Sequence, residues 1–161
     1  MAITVGGSSG FRVTIDDREV QRALRHMERA LVSAQPAWAE VGEHMKEAID
    51  TAFAKGGARD EHPAWEDLKP ATWKARAEGK QKENGGKILQ VTGRLRSKIW
   101  RRATGLCVKL GTNVKYAATH QFGRGAIPAR PFLFVTRKDW DIINKILLRH
   151  YLAGFPRGPR P

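Results

Sequence analysis

The stretch Trp100-Arg-Arg-Ala-Thr-Gly-Leu-Cys-Val-Lys-Leu-Gly-Thr112 decides the fold that this sequence predicts. Residues 100–104 and 106–110 have the composition of two strands, and the intervening Gly105 is typical of a tight turn. Leu106, Val108 and Leu110 alternate with other residues, so they would share one face of the hairpin. The stretch therefore predicts a small, mainly antiparallel sheet formed around residues 97–112.

Helical periodicity lies on both sides of this hairpin. Apolar residues at helical spacing predict one long helix over residues 17–55, which Pro36 kinks or restarts because proline cannot donate a backbone hydrogen bond. A C-terminal helix is predicted over 139–152, and a short strand precedes the first helix at 11–15. The predicted apolar stripe of the C-terminal helix consists of Trp140, Ile143, Leu147 and Tyr151. The fold class is therefore α+β, with a long N-terminal helix and a C-terminal helix packed on the sheet.

The connections divide the chain of 161 residues into one domain over 1–153 and a basic Pro/Gly-rich tail over 154–161. Glycine, proline and charge predict a flexible loop over 56–87, although Trp65 and Leu68 could pin it to the core. A short amphipathic helix with Thr92 as its N-cap is expected next.

The charge of the chain is concentrated in its second half. Residues 1–80 carry 12 Lys+Arg against 13 Asp+Glu, a net charge of −1, whereas residues 81–161 carry 17 against 3, a net charge of +14. No acidic residue occurs over 84–138, which contains 12 Lys+Arg. Such segregation favours contact with a polyanion or an acidic protein surface, and the alternative is a solvated basic face.

Seven basic residues of this region are candidates for contact with another subunit, a partner protein or DNA. Some would project outward from the short helix, others lie on the hairpin, and the rest lie in a loop stiffened by glycines and prolines. Arg130 is either presented to a carboxylate of a partner or held in an internal corner by an acid of the first helix. The candidates are Arg94, Arg96, Lys98, Arg101, Arg102, Arg124 and Arg130.

Trp100 among these cations would allow stacking on a nucleic-acid base, but it has an ordinary core explanation as well. No helix-turn-helix, ribonucleoprotein or zinc-finger signature accompanies it. A DNA-binding accessory protein without sequence specificity is therefore the alternative to a protein-docking role.

The sequence lacks motifs for catalysis, for metal binding and for nucleotide binding. The single cysteine, Cys107, excludes an internal disulfide and a multi-cysteine zinc site, and the five histidines lack metal-ligand spacing. The sequence contains neither a phosphate-binding P-loop nor a GxSxG elbow, and no apolar run is long enough to cross a membrane. We therefore expect no catalytic residue, no cofactor, no metal and no membrane contact.

Several segments occur in a recognisable order, and the block Tyr116-Ala-Ala-Thr-His-Gln-Phe-Gly123 followed by Ile127-Pro-Ala-Arg-Pro-Phe-Leu133 is the most specific. Over roughly residues 11–150 the chain resembles the phage virion morphogenesis family of tail completion proteins, including those of Mu-like phages and prophages. The other segments are Trp65-Glu-Asp-Leu68, Pro70-Ala-Thr72, Ile88-Leu-Gln-Val-Thr-Gly-Arg-Leu95 and Leu110-Gly-Thr112.

This resemblance implies a non-enzymatic structural protein of the virion, made in the host cytoplasm, that completes the tail end or joins head to tail at the neck. It implies assembly as a homo-oligomeric ring. The implied partners are neighbouring tail tube, tail terminator or connector proteins, with possible non-specific contact between the ring lumen and genomic DNA.

Overall fold

The computed structural model describes residues 2–6, 12–32, 34–78 and 87–153, with side chains described from residue 17 to 29 and from 34 onward within these ranges. The described residues contain six helices and two separate antiparallel strand pairs, which confirms the α+β class. In chain order the elements are β1 (Ala2–Gly6), β2 (Arg12–Asp16), α1 (Arg18–Val32), α2 (Gln35–Ala54), α3 (Pro70–Glu78), α4 (Arg94–Ser97), β3 (Ile99–Ala103), β4 (Val108–Thr112), α5 (Ala117–Phe122) and α6 (Arg137–Leu152).

The predicted long helix is two helices. α1 ends at Val32 and α2 begins at Gln35, so Pro36 lies in the first turn of α2, where its missing N–H costs no helical hydrogen bond. α2 is the central element of the core and buries one face along its length, including Val41, Met45 and Phe53. The prediction of a broken helix with a restart at the proline is confirmed.

Both hairpins are antiparallel and form separate two-stranded sheets. β3 pairs with β4 so that Ile99 lies opposite Thr112 and Ala103 opposite Val108, as the quoted stretch predicts within two residues at each end. Leu106 does not join the inner face, because the hydrogen bonds between Thr104 and Cys107 close the turn around it and leave it 82% exposed. β2 corresponds to the strand predicted at 11–15, and it pairs with β1, which was not predicted.

Two apolar clusters lie along α2, one against its C-terminal half and one against its N-terminal half. The first surrounds Phe53 with Trp65 and Phe132, whose rings lie 5.6 Å from that of Phe53. The second joins Val41 and Met45 of α2 to α6 and is completed by half-buried side chains of β4. The hairpin and α6 are thus held together by the helix that lies between them.

The C-terminal helix packs on α2 and α1, and it reaches the sheet through the second cluster. Its buried face consists of Asp139, Ile143 and Ile146, whereas Trp140, predicted to lie on this face, is 56% exposed. The reason is the capping box at the start of α6, in which Asp139 turns inward to cap the helix with Thr136. Trp140 therefore lies about 100° further round the helix.

Residues 56–69, which follow α2, are attached to the core through the side chain of Trp65. Trp65 is buried and its Nε1 donates a 2.7 Å hydrogen bond to the carbonyl of Pro131. Gly57 has a φ of +93°, and a Cβ there would lie 2.4 Å from the Trp65 ring, so this turn requires glycine. Trp65 thus attaches residues 56–69 to the core, as its position in the sequence allowed, and the flexibility of the loop over 56–87 stays a prediction. Residues 79–86 and the tail 154–161 lie outside the described residues.

α4 begins one residue later than predicted. Its N-cap is Gly93 in the left-handed conformation rather than Thr92, whose hydroxyl accepts a long 3.4 Å bond from the backbone N–H of Arg94. None of the helices that the structure describes is long and apolar enough to cross a bilayer.

Candidate interaction surface

The β3–β4 hairpin has one face against α2 and one face turned outward. Val108 and Leu110 point inward with Ile99, and Arg101 on the same side forms an ion pair with Glu43 of α2. Arg101, one of the candidate contact residues, is therefore already paired within the chain.

The outward face carries two like charges directly opposite each other. Arg102 and Lys109 are cross-strand partners, and both side chains are exposed. Neither forms an ion pair with any acid among the described residues. Because like charges in opposite positions of a sheet destabilise it, this pair adds nothing to the fold and leaves two cations for an external anion.

Trp100 lies on the same outward face. It is 43% exposed, so its core explanation is wrong. The ring packs over Gly111, where a Cβ would lie 2.9 Å from its Cζ2, and its Nε1 donates to Asn113 Oδ1 at 3.3 Å. The hairpin thus holds a rigid, accessible aromatic surface beside Arg102.

Two further cations come from α4. Arg94 and Lys98 line a shallow pocket of about 310 Å³, and Trp100 and Asn113 form its other side. The short helix and the strand that follows it share this pocket because only one residue separates them. We call Arg94, Lys98, Trp100, Arg102 and Lys109 the basic face.

The remaining candidates do not join the basic face. Arg96 is half-buried, and its Nε donates a 2.8 Å bond to Asp50 Oδ1 of α2. Arg124 is exposed in the loop after α5, where its backbone pairs with Ile127. Arg130 is buried, and it donates to the carbonyls of Glu66 and Asp67.

Arg130 therefore occupies the internal corner, but its partners are backbone carbonyls and not an acid of the first helix. Of the seven candidates, Arg94 and Lys98 line the pocket beside Trp100, and Arg102 lies on the outward face of the hairpin opposite Lys109. Lys109 was not among the candidates, because its position opposite Arg102 follows only from the register of the hairpin.

A second exposed surface lies on α1. Val20, Leu24 and Met27 recur at helical spacing, and their side chains are 60%, 59% and 43% exposed. Amphipathic helices usually bury such a stripe, so this one is available to another chain. Leu31 continues the spacing, but its side chain lies outside the described part of α1.

A metal site in the described residues would require several ligating side chains close together. No group of three or more His, Cys, Asp or Glu side chains in these ranges lies close enough to hold a metal ion. Cys107 is half-buried at the hairpin turn, 3.5 Å from the hydroxyl of Thr104.

Comparisons with known proteins agree with this description. The model of the phage virion morphogenesis family matches residues 15–152. A curated relative, Mu-like prophage FluMu G protein 2 of Haemophilus influenzae, is 33% identical over 137 residues, which cover 80% of this chain and 87% of that protein. No solved structure matches the chain. With a family match across nearly the whole domain, this chain belongs to the phage virion morphogenesis family.

Proposed function

We propose that this chain is a non-enzymatic structural protein of the virion that completes the tail end or joins head to tail at the neck. It assembles as a homo-oligomeric ring, and its basic face binds an acidic surface of a neighbouring tail tube, tail terminator or connector protein. Family membership and the Mu-like prophage relative support a role in phage morphogenesis. The pair of Arg102 opposite Lys109 on the outward side of the hairpin carries the docking proposal.

An acidic partner fits this surface for an electrostatic reason. Two cations side by side repel each other in the free chain, and a carboxylate placed between them turns that repulsion into attraction. Trp100 beside them supplies apolar area in a fixed position, as aromatic anchors do at the centre of interfaces.

The apolar stripe of α1 supports self-association. A closed ring is built from two different surfaces of each subunit, because every subunit contacts one neighbour with each. The stripe Val20, Leu24 and Met27 is one such surface, and the exposed Trp140, Leu148 and Leu152 of α6 are a candidate for its counterpart. Burying both removes apolar area from water, which favours assembly.

The second candidate function is binding of DNA without sequence specificity, either as an accessory protein or at the lumen of the ring. The exposed Trp100 among Arg94, Lys98 and Arg102 favours it, since bases stack on aromatic rings beside cations. Such binding weakens with salt, with a log–log slope of about −0.9 per neutralised phosphate on duplex DNA.

Arg102→Glu tests the docking proposal. Glutamate opposite Lys109 creates an attractive cross-strand pair, so the isolated fold is expected to be as stable as the wild type. In a phage that lacks its own copy of the gene, the variant is expected to fail to enter particles, leaving filled heads and unjoined or defective tails.

Lys55→Glu is the matched control, because it makes the same charge change at an exposed residue away from the basic face. Normal incorporation of a folded Arg102→Glu protein would contradict docking through the basic face. Tight, salt-sensitive duplex binding by the wild type, lost in Arg102→Glu but not in Lys55→Glu, would favour the DNA function instead.

A further inference from the structure

A partly enclosed pocket of about 260 Å³ lies between α3, residues 88–95 and α5. Most of its wall is apolar and includes Leu68, Ile88, Leu89 and Leu95. None of the residues of the basic face lines it. We call it the Arg130 pocket, because Arg130 is one of its lining residues.

Arg130 is a buried cation without a carboxylate partner among the described residues. It is 6% exposed, and its Nε and one Nη donate to the carbonyls of Glu66 and Asp67 at 2.9 and 3.1 Å. These carbonyls are neutral, so they orient the guanidinium without balancing its charge. Buried charges in proteins are normally paired, which makes this site incomplete as it stands.

Two more nitrogen-bearing side chains line the same pocket. Nδ1 of His120 is buried and has no hydrogen-bond partner among the described residues. Among the described residues, Arg76 donates a single long hydrogen bond of 3.5 Å, to the carbonyl of Lys87. Unpartnered buried polar atoms are rare, and each calls for an explanation such as a ligand.

The electrostatics of the pocket agree with this shortage of anions. Burial lowers the pKa of His120, and the neighbouring charge of Arg130 lowers it further. The pKa of Arg76 is lowered by the same two causes in the same order. A bound anion would reverse the effect of Arg130 on both groups.

We propose that the Arg130 pocket binds a carboxylate carried on an apolar stem, presented by an acidic segment of a partner protein. The carboxylate lies against Arg130, with Arg76 and His120 as further donors, while the stem lies against the leucines and Ile88. Apolar walls distinguish this occupant from a small inorganic anion, whose hydration they would not replace. The pocket shares no residue with the basic face. Docking at the Arg130 pocket and docking at the basic face can therefore be tested independently.

The test uses three small probes on the full chain, followed by NMR of the His120 ring and the Arg130 guanidinium. Hexanoate carries both the charge and the stem, hexanamide carries the stem alone, and inorganic phosphate carries charge alone. Hexanoate is expected to shift both signals in a saturable way and to raise the pKa of His120. Hexanamide and phosphate are expected to bind at least tenfold more weakly, in line with charge-assisted hydrogen bonds.

Two variants locate the binding. Arg76→Gln is expected to weaken hexanoate binding by about tenfold, and His120→Gln by a smaller factor. Arg94→Gln is the matched control, since Arg94 is an exposed arginine of the basic face, and it should leave the affinity unchanged. Circular dichroism checks that each variant is folded before its affinity is compared.

Three results would overturn the proposal. Equal affinity for hexanamide would make the pocket a purely apolar cavity, and equal affinity for phosphate would make it a simple anion site. The absence of any saturable change with hexanoate would reject a carboxylate site outright.

Discussion

Two buried charges, Asp139 and Arg130, differ in how completely their surroundings satisfy them. Asp139 is 2% exposed and accepts hydrogen bonds from both terminal nitrogens of Arg59, at 2.9 and 2.5 Å, and it lies 2.9 Å from Nε2 of His44. Arg130 is nearly as buried, but among the described residues it contacts only neutral carbonyls. The charge of Asp139 is balanced within the chain by Arg59, whereas no carboxylate among the described residues balances Arg130.

This difference in charge pairing indicates a different role for each site. The Asp139 cluster joins His44 of α2, Arg59 of the following segment and Thr136 at the start of α6, so it fastens three parts of the fold at one point. The same carboxylate completes the cap of α6. Each site contains one buried nitrogen without a hydrogen-bond partner among the described residues, Nε of Arg59 and Nδ1 of His120. The difference is therefore one of charge, since Asp139 balances Arg59 whereas no described carboxylate pairs with Arg130.

Asp139→Asn should have the largest effect of the three predictions that follow. It leaves Arg59 buried without a counter-charge, and breaking a buried pair in this way costs about 3–5 kcal/mol of unfolding free energy. Urea unfolding followed by circular dichroism measures the loss. A cost below 1 kcal/mol would mean that the cluster is solvated and that the two sites are alike.

Arg130→Met should cost less, about 1–3 kcal/mol, because it removes two hydrogen bonds but leaves no unpaired charge behind. Glu66 and Asp67 are exposed, so water can reach their carbonyls. The same urea experiment provides the comparison with Asp139→Asn. A cost as large as that of Asp139→Asn would show that Arg130 is a structural fastening rather than part of a binding site.

The smallest expected effect is on the pH dependence of folding stability, to which His120 and Asp139 contribute over different pH ranges. Burial lowers the pKa of His120, with Arg130 as the second cause, so its neutral form is favoured in the folded state. The unfolded chain then binds more protons below the ordinary histidine pKa of about 6.5, and stability falls as pH drops through that value.

His120→Gln should flatten this part of the profile and leave the acid limb unchanged. Burial raises the pKa of Asp139, but hydrogen bonds from Arg59 and Thr136 outweigh it and hold the pKa below its usual range. The stability due to Asp139 is therefore present above about pH 3.9 and is lost as pH falls further. Thermal unfolding measured between pH 3 and 8 separates the windows. A flattened acid limb in His120→Gln would contradict this assignment.

The sequence predicts local structure well where a pattern is complete within one segment. The hairpin around Gly105, the restart of the helix at Pro36 and the α+β class are confirmed because alternation, helical spacing and proline act over a few residues. The family was recognised from short blocks of the same kind. The candidate contact residues stay predictions, but nothing in the sequence indicated that Arg96 and Arg101 pair with acids of α2.

The amino-acid sequence by itself therefore determined the elements, the regional positive charge and the family of this protein. Only the tertiary structure decided which charges are satisfied. Arg59 lies 80 residues from Asp139 and Arg130 lies more than 60 residues from Glu66, so no local pattern predicts either contact. Burial and pairing depend on which distant side chains the packing of α2, α6 and the hairpin brings together, and the free energy of a charge depends on those neighbours.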